Sequence, residues 1–510
     1  MPVLKPASEF GRCVPPDSQY GITTYAPGWD SAIAFREGDP NIMKRVVHIY
    51  PRFGPFGPVG ETLRAICAKI QTPEGHGALY FTSPQSLDAV RAHSTHPNRK
   101  EKVLAESDLG HRCVDIGGVR IYLATFPAAK TPGVIGAWQN PGIGVSIRLA
   151  EYLHKNIDSL TEVDLPDRST VPPTEYLSEG EAHGKLKERI TGLLHRAAIE
   201  PEKIKVQSKD VFLYQTGMAA IFSTHHALLQ YRPGSVAILG IVFHSTVHYI
   251  QENSPHGYKH FGPVDPKGID IFEAWLDEQA AVGKDVSYVL TEFPSNPLLA
   301  SIDLARLKKL SEKHNFVLVL DDTVGSFANI DVIALSDILV SSLTKTFSGY
   351  ANVMGGSVVL NPLSPHYDDL SSHWAKTFHN ELFTADAEVL LRPTPELEEP
   401  GAGCLLSIDF ESVDTAKAFY DRLVFYPGPH LGAHRTLSFC YNTLAFGKDA
   451  DEAAYHRSYG ILEETIRISA GLEDVQDLLD TLDDALVAAN QQRLQAPTTV
   501  EAVAGTGVAS

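Results

Sequence analysis

The sequence predicts an α/β fold organised around a mainly parallel sheet, and three observations carry that prediction. Between residues 210 and 344 five apolar runs of strand length, DVFLYQT, SVAILGIVF, VSYVLTEF, NFVLVLDD and DILVSSLT, are rich in Val, Ile and Leu, as strands covered on both faces are. Helical segments separate several of them: MAAIFSTHHALLQYR follows the first, and in IDLARLKKLSEKH the residues Ile302, Leu304, Leu307 and Leu310 fall near one stripe. Strands alternating with helices are joined by crossovers, which makes neighbouring strands parallel. Finally, 510 residues at 43% hydrophobic and 21% charged is ordinary globular composition, enough at about 150 residues per domain for more than one core.

In chain order, residues 1–160 read as a small α/β extension of unknown role. RVVHIY (45–50) has the look of a short strand, PRFGPFGPVG of a turn, ETLRAICAKIQ and VSIRLAEYLHKNI of helices, and GALYFTS and VRIYLATF of two further strands. No catalytic constellation stands out in this unit. Residues 161–175, TEVDLPDRSTVPPTE, are polar and proline-rich, as a linker between separately packed cores is. The strand-rich large domain is expected over 176–395. A smaller α/β domain follows over 396–494, with CLLSIDF, DTAKAFYDRLVF, LSFCYN, TIRISAG and the amphipathic VQDLLDTLDDALVAANQQ. Residues 495–510 have small side chains and no periodicity and read as a disordered tail. No internal repeat is visible.

Charge and cysteine usage exclude several classes. Forty-three basic against 62 acidic residues give a formal charge of −19, a surface that repels rather than grips a nucleic acid. No apolar stretch reaches membrane-spanning length, and the start has neither a basic n-region nor an apolar h-region, so neither membrane insertion nor secretion is expected and the cytoplasm is the expected compartment. Cys13, Cys67, Cys113, Cys404 and Cys440 are odd in number and scattered, signalling neither a disulfide framework nor a metal site.

Ligands of a parallel α/β sheet gather at the carboxyl ends of its strands, and those ends carry a distinctive set here. Thr216, Gly217 and Met218 turn directly from a strand into a helix, whose first N–H groups form an anion site. Asp321 and Asp322 end an apolar strand. Lys345 follows another, with Ser342 and Thr344 before it and the glycine-containing FSGYANVMGG after it. Each feature alone has a plain structural reading: a tight turn, a helix cap, a snorkelling surface lysine. Together they supply an anion cradle (Gly217, Met218, Ser342, Thr344), an amine (Lys345) and a carboxylate (Asp321), the three groups that pyridoxal 5'-phosphate requires.

The motifs TGMAA, TEFPSNPLLASIDLARL, LVLDDTV, SSLTKTFSGYANVMGG and TIRISAGLEDVQDLLDTLDDAL resemble, in the same order, the Cys/Met-metabolism family of pyridoxal-phosphate enzymes. Within it the resemblance is to the cystathionine γ-synthase branch, the fungal type with a long amino-terminal extension, over about residues 176–490. It implies a PLP-transferase fold of type I, aspartate-aminotransferase-like, with a seven-stranded large-domain sheet and assembly as a homodimer or homotetramer. It further implies that Lys345 binds the cofactor covalently and shuttles protons, that Asp321 pairs with the pyridine nitrogen, and that Gly217, Met218, Ser342 and Thr344 hold the phosphate. Asn296 is then near the phenolic oxygen, Phe243 stacks on the ring where the family usually has a tyrosine, and Arg467 clamps the substrate α-carboxylate. Three departures accompany the resemblance. Phe243 has no hydroxyl; the family's tyrosine-and-arginine segment, which reaches a neighbouring subunit's phosphate, has only Tyr176 as a candidate near EYLSEGEAHGKLKERI; and the lysine motif carries Leu343, Thr346 and Tyr350. His244 and His248 read as loop histidines, and Glu292 as an orienting group.

The implied reaction is γ-replacement on an O-acyl-L-homoserine by L-cysteine to give L-cystathionine, a transsulfuration step of methionine biosynthesis. The alternatives are another nucleophile, carbon or nitrogen, in specialised metabolism; a γ-lyase; and a non-catalytic regulator that keeps the fold.

Overall fold

The computed structural model describes residues 4, 8–16, 18–165, 173–392 and 403–495. Residues 166–172 of the expected linker, the boundary near 395 and the expected tail beyond residue 495 lie outside these residues.

The amino-terminal sheet has four antiparallel strands, β1 (His76–Phe81), β2 (Gly110–Ile116), β3 (Val119–Pro127) and β4 (Thr161–Glu162), in the order β1-β3-β2-β4. The helices Gly57–Lys69 and Ile147–Lys155 cover it. Ser146 caps the second of these by accepting from Leu149 N, and Ile66, Leu123 and Leu153 are fully buried beneath them, each contributing about 1.5–3 kcal/mol. This core is continuous with one face of the next sheet: Tyr80, Trp138 and Ile143 belong to the same cluster as Met218, Ile238 and Val319. RVVHIY is not a strand. Residues 46–50 run extended with no partner strand, because they leave the sheet region to pass along a cavity described below.

The large sheet has seven strands: β5 (Val211–Tyr214), β6 (Ser235–Leu239), β7 (Tyr258–Phe261), β8 (Val286–Glu292), β9 (Val317–Asp321), β10 (Ile338–Ser341) and β11 (Gly356–Leu360). Their order is β5-β11-β10-β9-β8-β6-β7. All neighbours are parallel except β11, antiparallel to both β10 and β5. The fold class expected from the sequence is the one observed, with two additions. β7 and β11 are not among the five apolar runs, and the glycine-rich segment after Lys345 leads straight into β11. A Cβ on Gly356 would lie 2.2 Å from Thr216 O, so this strand start requires glycine to approach the turn that follows β5.

A third sheet, β12 (Leu405–Asp409), β13 (Tyr426–Pro427), β14 (Leu437–Cys440) and β15 (Thr465–Ser469), is ordered β12-β15-β14-β13 and backed by the helices Val413–Arg422 and Val475–Gln495. The helix Trp29–Glu37, from the chain's first 40 residues, packs here: Trp29 N donates to Asp421 Oδ1 (2.6 Å), and its ring meets Tyr420 edge-on. Residues 22–56 therefore run from this third sheet back to the amino-terminal unit, where Pro51 O accepts from Trp138 Nε1 and Phe53 O from Gln139 Nε2. Among the described residues no helix is long and apolar enough to cross a membrane.

Candidate active site

A cavity of about 500 Å³ opens at the carboxyl ends of the parallel strands, between the large sheet, the third sheet and residues 22–56. Register brings the groups there. Glu292 and Asp321 pair across β8 and β9, and Asp321 pairs with Val340 of β10, one turn before Ser342 and Lys345. Of the residues singled out in the sequence, Gly217, Met218, Phe243, Asn296, Asp321, Ser342, Lys345 and Arg467 line the cavity, as do Glu292 and His244. Thr344 does not. It is fully buried, and its hydroxyl donates to Gly355 O and accepts from Gly355 N, stitching the lysine loop to the start of β11. His248 pairs with Glu452 at 3.0 Å.

The helix Gly217–Tyr231 begins at the cavity, with Thr216 as its cap: Thr216 Oγ1 accepts from Ala219 N. The first N–H groups of the helix lack intrahelical acceptors and face a region where a side chain has no room, since a Cβ on Gly217 would lie 2.7 Å from Ser342 Cβ. Ser342 is held in place by its own N–H donating to Thr323 Oγ1 (2.8 Å). The arrangement is a tight cradle of donors at a helix start, suited to a phosphate.

Electrostatics divides the cavity in a consistent way. Burial, with Arg467 and Arg52 nearby, lowers the Lys345 pKa to about 7. Burial also lowers Arg467 to about 10. Neither Arg467 nor Arg52 makes an ion pair among the described residues, although they are only 2% and 7% exposed. The acids respond in the opposite sense. Burial raises Asp321, and burial beside Asp321 raises Glu292 well above the carboxylate range. Glu292 accepts from Phe243 N (2.5 Å) and Asn296 N (3.2 Å), so it fixes the two segments that present Phe243 and Asn296. Asp321 Oδ1 accepts from Thr323 N and is poised to ionise when a cation faces it. Two buried guanidiniums with no ion-pair partner among the described residues, in a protein of formal charge −19, mark a place suited to anions.

Three residues of the cavity are not marked by any sequence motif. Tyr50, at the end of RVVHIY, and Arg52, in the single 3-10 turn Pro51–Phe53 that follows, enter the cavity: the Arg52 guanidinium lies 5.2 Å from the Phe243 ring and 5.4 Å from the Tyr50 ring, and Lys345 Nζ is 5.6 Å from the latter. Arg52 Nη1 donates to Gln139 O and Nη2 to Ser245 Oγ, which fixes its approach. Tyr176, the candidate named from sequence, is elsewhere: it stacks on His379 at 3.7 Å and its hydroxyl accepts from Gln85 Nε2. A tyrosine and an arginine two positions apart in RVVHIYPR were the available signal, hidden because they precede the recognisable motifs. The third is Tyr441, which lines the cavity and accepts from Asn296 Nδ2 (3.0 Å).

The chain is similar to several known proteins. Residues 191–392 match the family profile described as Cys/Met metabolism PLP-dependent enzyme. Over 96% of the chain and 98% of the relative, the sequence is 28% identical to the cystathionine gamma-synthase-like enzyme iboG2 of Amanita muscaria. Over 96% and 99% it is 26% identical to the cystathionine gamma-synthase of Neurospora crassa, and over 93% and 96% it is 27% identical to the alanine racemase ungC of Aspergillus violaceofuscus. The amino-terminal extension is thus shared with these relatives. The crystal structure of cystathionine gamma synthase from Xanthomonas oryzae pv. oryzae has the same fold, with a TM-score of 0.50 at 21% identity over 62% of this chain and 87% of that one. The cofactor is pyridoxal phosphate, and the donor cradle at Gly217, the low-pKa amine of Lys345 and the buried Asp321 fit its phosphate, aldehyde and ring nitrogen. Over residues 191–392 the chain is thus similar to the Cys/Met-metabolism family of PLP-dependent enzymes, and its fold is the one that the Xanthomonas oryzae enzyme shows.

Proposed function

We propose that the chain catalyses γ-replacement on an O-acyl-L-homoserine, with L-cysteine as nucleophile and L-cystathionine as product. The observation that best supports this is that Lys345, Asp321 and Arg467 line one cavity. When bound, pyridoxal phosphate supplies an electron sink that acidifies the Cα and then the Cβ hydrogens of the amino acid. In this reading Ser342 and the N–H groups of Gly217 and Met218 take the phosphate, and Arg52 adds positive charge beside it. Asp321 keeps a proton on the ring nitrogen, and Phe243, lacking a hydroxyl, serves only as a stacking surface. Arg467 receives the α-carboxylate. With a pKa of about 7, the Lys345 amine is partly neutral at physiological pH, so it can remove the Cα proton and return it later. The Cγ–O bond breaks with its electron pair on the departing acyl oxygen, the sulfur of cysteine forms the Cγ–S bond, and the thiol proton leaves with the carboxylic acid.

A second reading, the same replacement with a different nucleophile, draws support from the wall that residues 22–56 contribute. Ile22, Met43, Ile49, Phe53 and Phe56 offer apolar contact there, and the charged residues of that wall, Arg36 and Arg52, give the ammonium of a second amino acid no acidic partner. Product analysis by mass spectrometry separates the readings: holoenzyme is given O-acetyl- or O-succinyl-L-homoserine with L-cysteine, sulfide or a 1,3-dicarbonyl compound. Cystathionine is expected. Consumption of the acylhomoserine only with another nucleophile selects the second reading, and no consumption with any of them contradicts both.

A further inference from the structure

At one end of the cavity three side chains are joined by hydrogen bonds whose direction has a single solution. Arginine only donates, so Asn296 presents Oδ1 to Arg467 Nη1, at 2.9 Å. The Asn296 amide nitrogen must then face Tyr441, and the Tyr441 oxygen accepts from it at 3.0 Å. The hydroxyl hydrogen of Tyr441 is left over, and among the described residues it has no acceptor. Arg467 is similarly incomplete. Its Nη2 is engaged by Pro429 O and His430 O, while Nε has no partner and Nη1 has one N–H beyond that given to Asn296. The guanidinium cannot swing to find others, because it lies 5.4 Å from the Phe439 ring and 5.3 Å from the Tyr441 ring. Both Tyr441 and Arg467 border the cavity.

We propose that the Tyr441 hydroxyl is a second donor to the α-carboxylate of the amino-acid substrate, acting beside Arg467 with Asn296 holding the two in register. The inference rests on the reading that an amino acid binds here. Burial raises the Tyr441 pKa, so the hydroxyl stays protonated and remains a donor across the working pH range. A buried donor without an acceptor is costly, and a carboxylate entering between Tyr441 and Nη1 satisfies both at once. The site then prefers an amino acid to the corresponding amide, because an amide offers one oxygen and no charge to two donors.

Holoenzyme titrated with L-norvaline and with L-norvalinamide, followed by the change in cofactor absorbance, tests this. Norvaline has no leaving group, so binding is read without turnover. Tyr441→Phe removes only the hydroxyl and should weaken norvaline about 10-fold or more while moving norvalinamide by less than about 2-fold. The parental cofactor spectrum and unfolding midpoint report that the variant is folded, and Tyr441→Met serves if it is not. Unchanged norvaline affinity, or an equal loss for both ligands, overturns the role of Tyr441 while leaving the amino-acid reading intact. A parental holoenzyme that binds neither ligand overturns both.

Discussion

Gly217→Ala is the substitution whose consequence the geometry specifies most closely. The added Cβ would lie 2.7 Å from Ser342 Cβ, 3.0 Å from its Oγ and 3.1 Å from its Cα, where carbon atoms ordinarily rest about 3.5–4.0 Å apart. Either Ser342 or the start of the helix Gly217–Tyr231 must retreat by roughly 1 Å. Ser342 is not free to do so, since its N–H is tied to Thr323 Oγ1 and the loop behind it is stitched by Thr344 to Gly355. Overpacking of this kind costs about 1–3 kcal/mol of stability. It also spreads the donors of the phosphate cradle, and a loss of about 1.4 kcal/mol in binding is tenfold in affinity. Titration of the cofactor-free protein with pyridoxal phosphate, followed by absorbance, should therefore give a Kd raised about tenfold or more, and urea unfolding a lowered midpoint. Adding Ser342→Gly to Gly217→Ala removes the two nearest atoms in conflict, Cβ and Oγ, and leaves only Cα at 3.1 Å, so stability should recover in large part while cofactor affinity, which needs the serine hydroxyl, stays low. Gly217→Ala binding the cofactor as tightly as the parent would refute the assignment of this turn to the phosphate.

Three further outcomes are expected. Lys345 has a folded-state pKa of about 7 against an ordinary 10.5; between those values the unfolded chain holds more protons, so the stability of the cofactor-free protein rises with pH across that window, and Lys345→Met should flatten the rise seen in unfolding midpoints. Glu381, half-buried where the amino-terminal unit meets the large sheet and bonded by Thr82 and Gln215, is raised by desolvation from 4.5 to about 7. Its contribution is full below the unfolded value and is lost as pH rises through 7, so Glu381→Gln should be less sensitive to pH over that range by the same measurement. Arg52→Leu should weaken pyridoxal phosphate by about tenfold through loss of a charge-assisted contact, whereas Tyr176→Phe should leave the Kd unchanged; the reverse pattern would return the tyrosine–arginine role to Tyr176.

The elements that the sequence revealed are those whose pattern is local. Strands buried on both faces are continuous apolar runs, so β5, β6, β8, β9 and β10 are legible, and the residues at their ends, Asp321 and Lys345, follow from them. β7 and β11 were not, because Tyr-Lys-His-Phe at the sheet edge is half polar and GSVVL hides behind glycines whose purpose is close approach to Thr216. RVVHIY has strand composition, yet no strand lies beside it. Pairing is a tertiary property, and its Tyr50 and the nearby Arg52 face a cavity instead. The phosphate cradle shows the same limit at smaller scale: Ser342 and Thr344 are two residues apart, but only Ser342 lines the cavity, because the Thr344 hydroxyl closes on Gly355, 11 residues away. Tyr441 begins the short helix Tyr441–Ala445, and nothing in LSFCYN distinguishes it until Asn296 and Arg467 are brought to it.

The central claim, that the Lys345 amine carries the cofactor, is tested most directly by reducing the pyridoxal-phosphate-loaded protein with borohydride, digesting it and locating the modified peptide by mass spectrometry. A single phosphopyridoxyl group on the peptide containing Lys345, and none on Lys345→Met, is the expected result. A stoichiometric label on any other lysine, or a label that survives Lys345→Met undiminished, would contradict it.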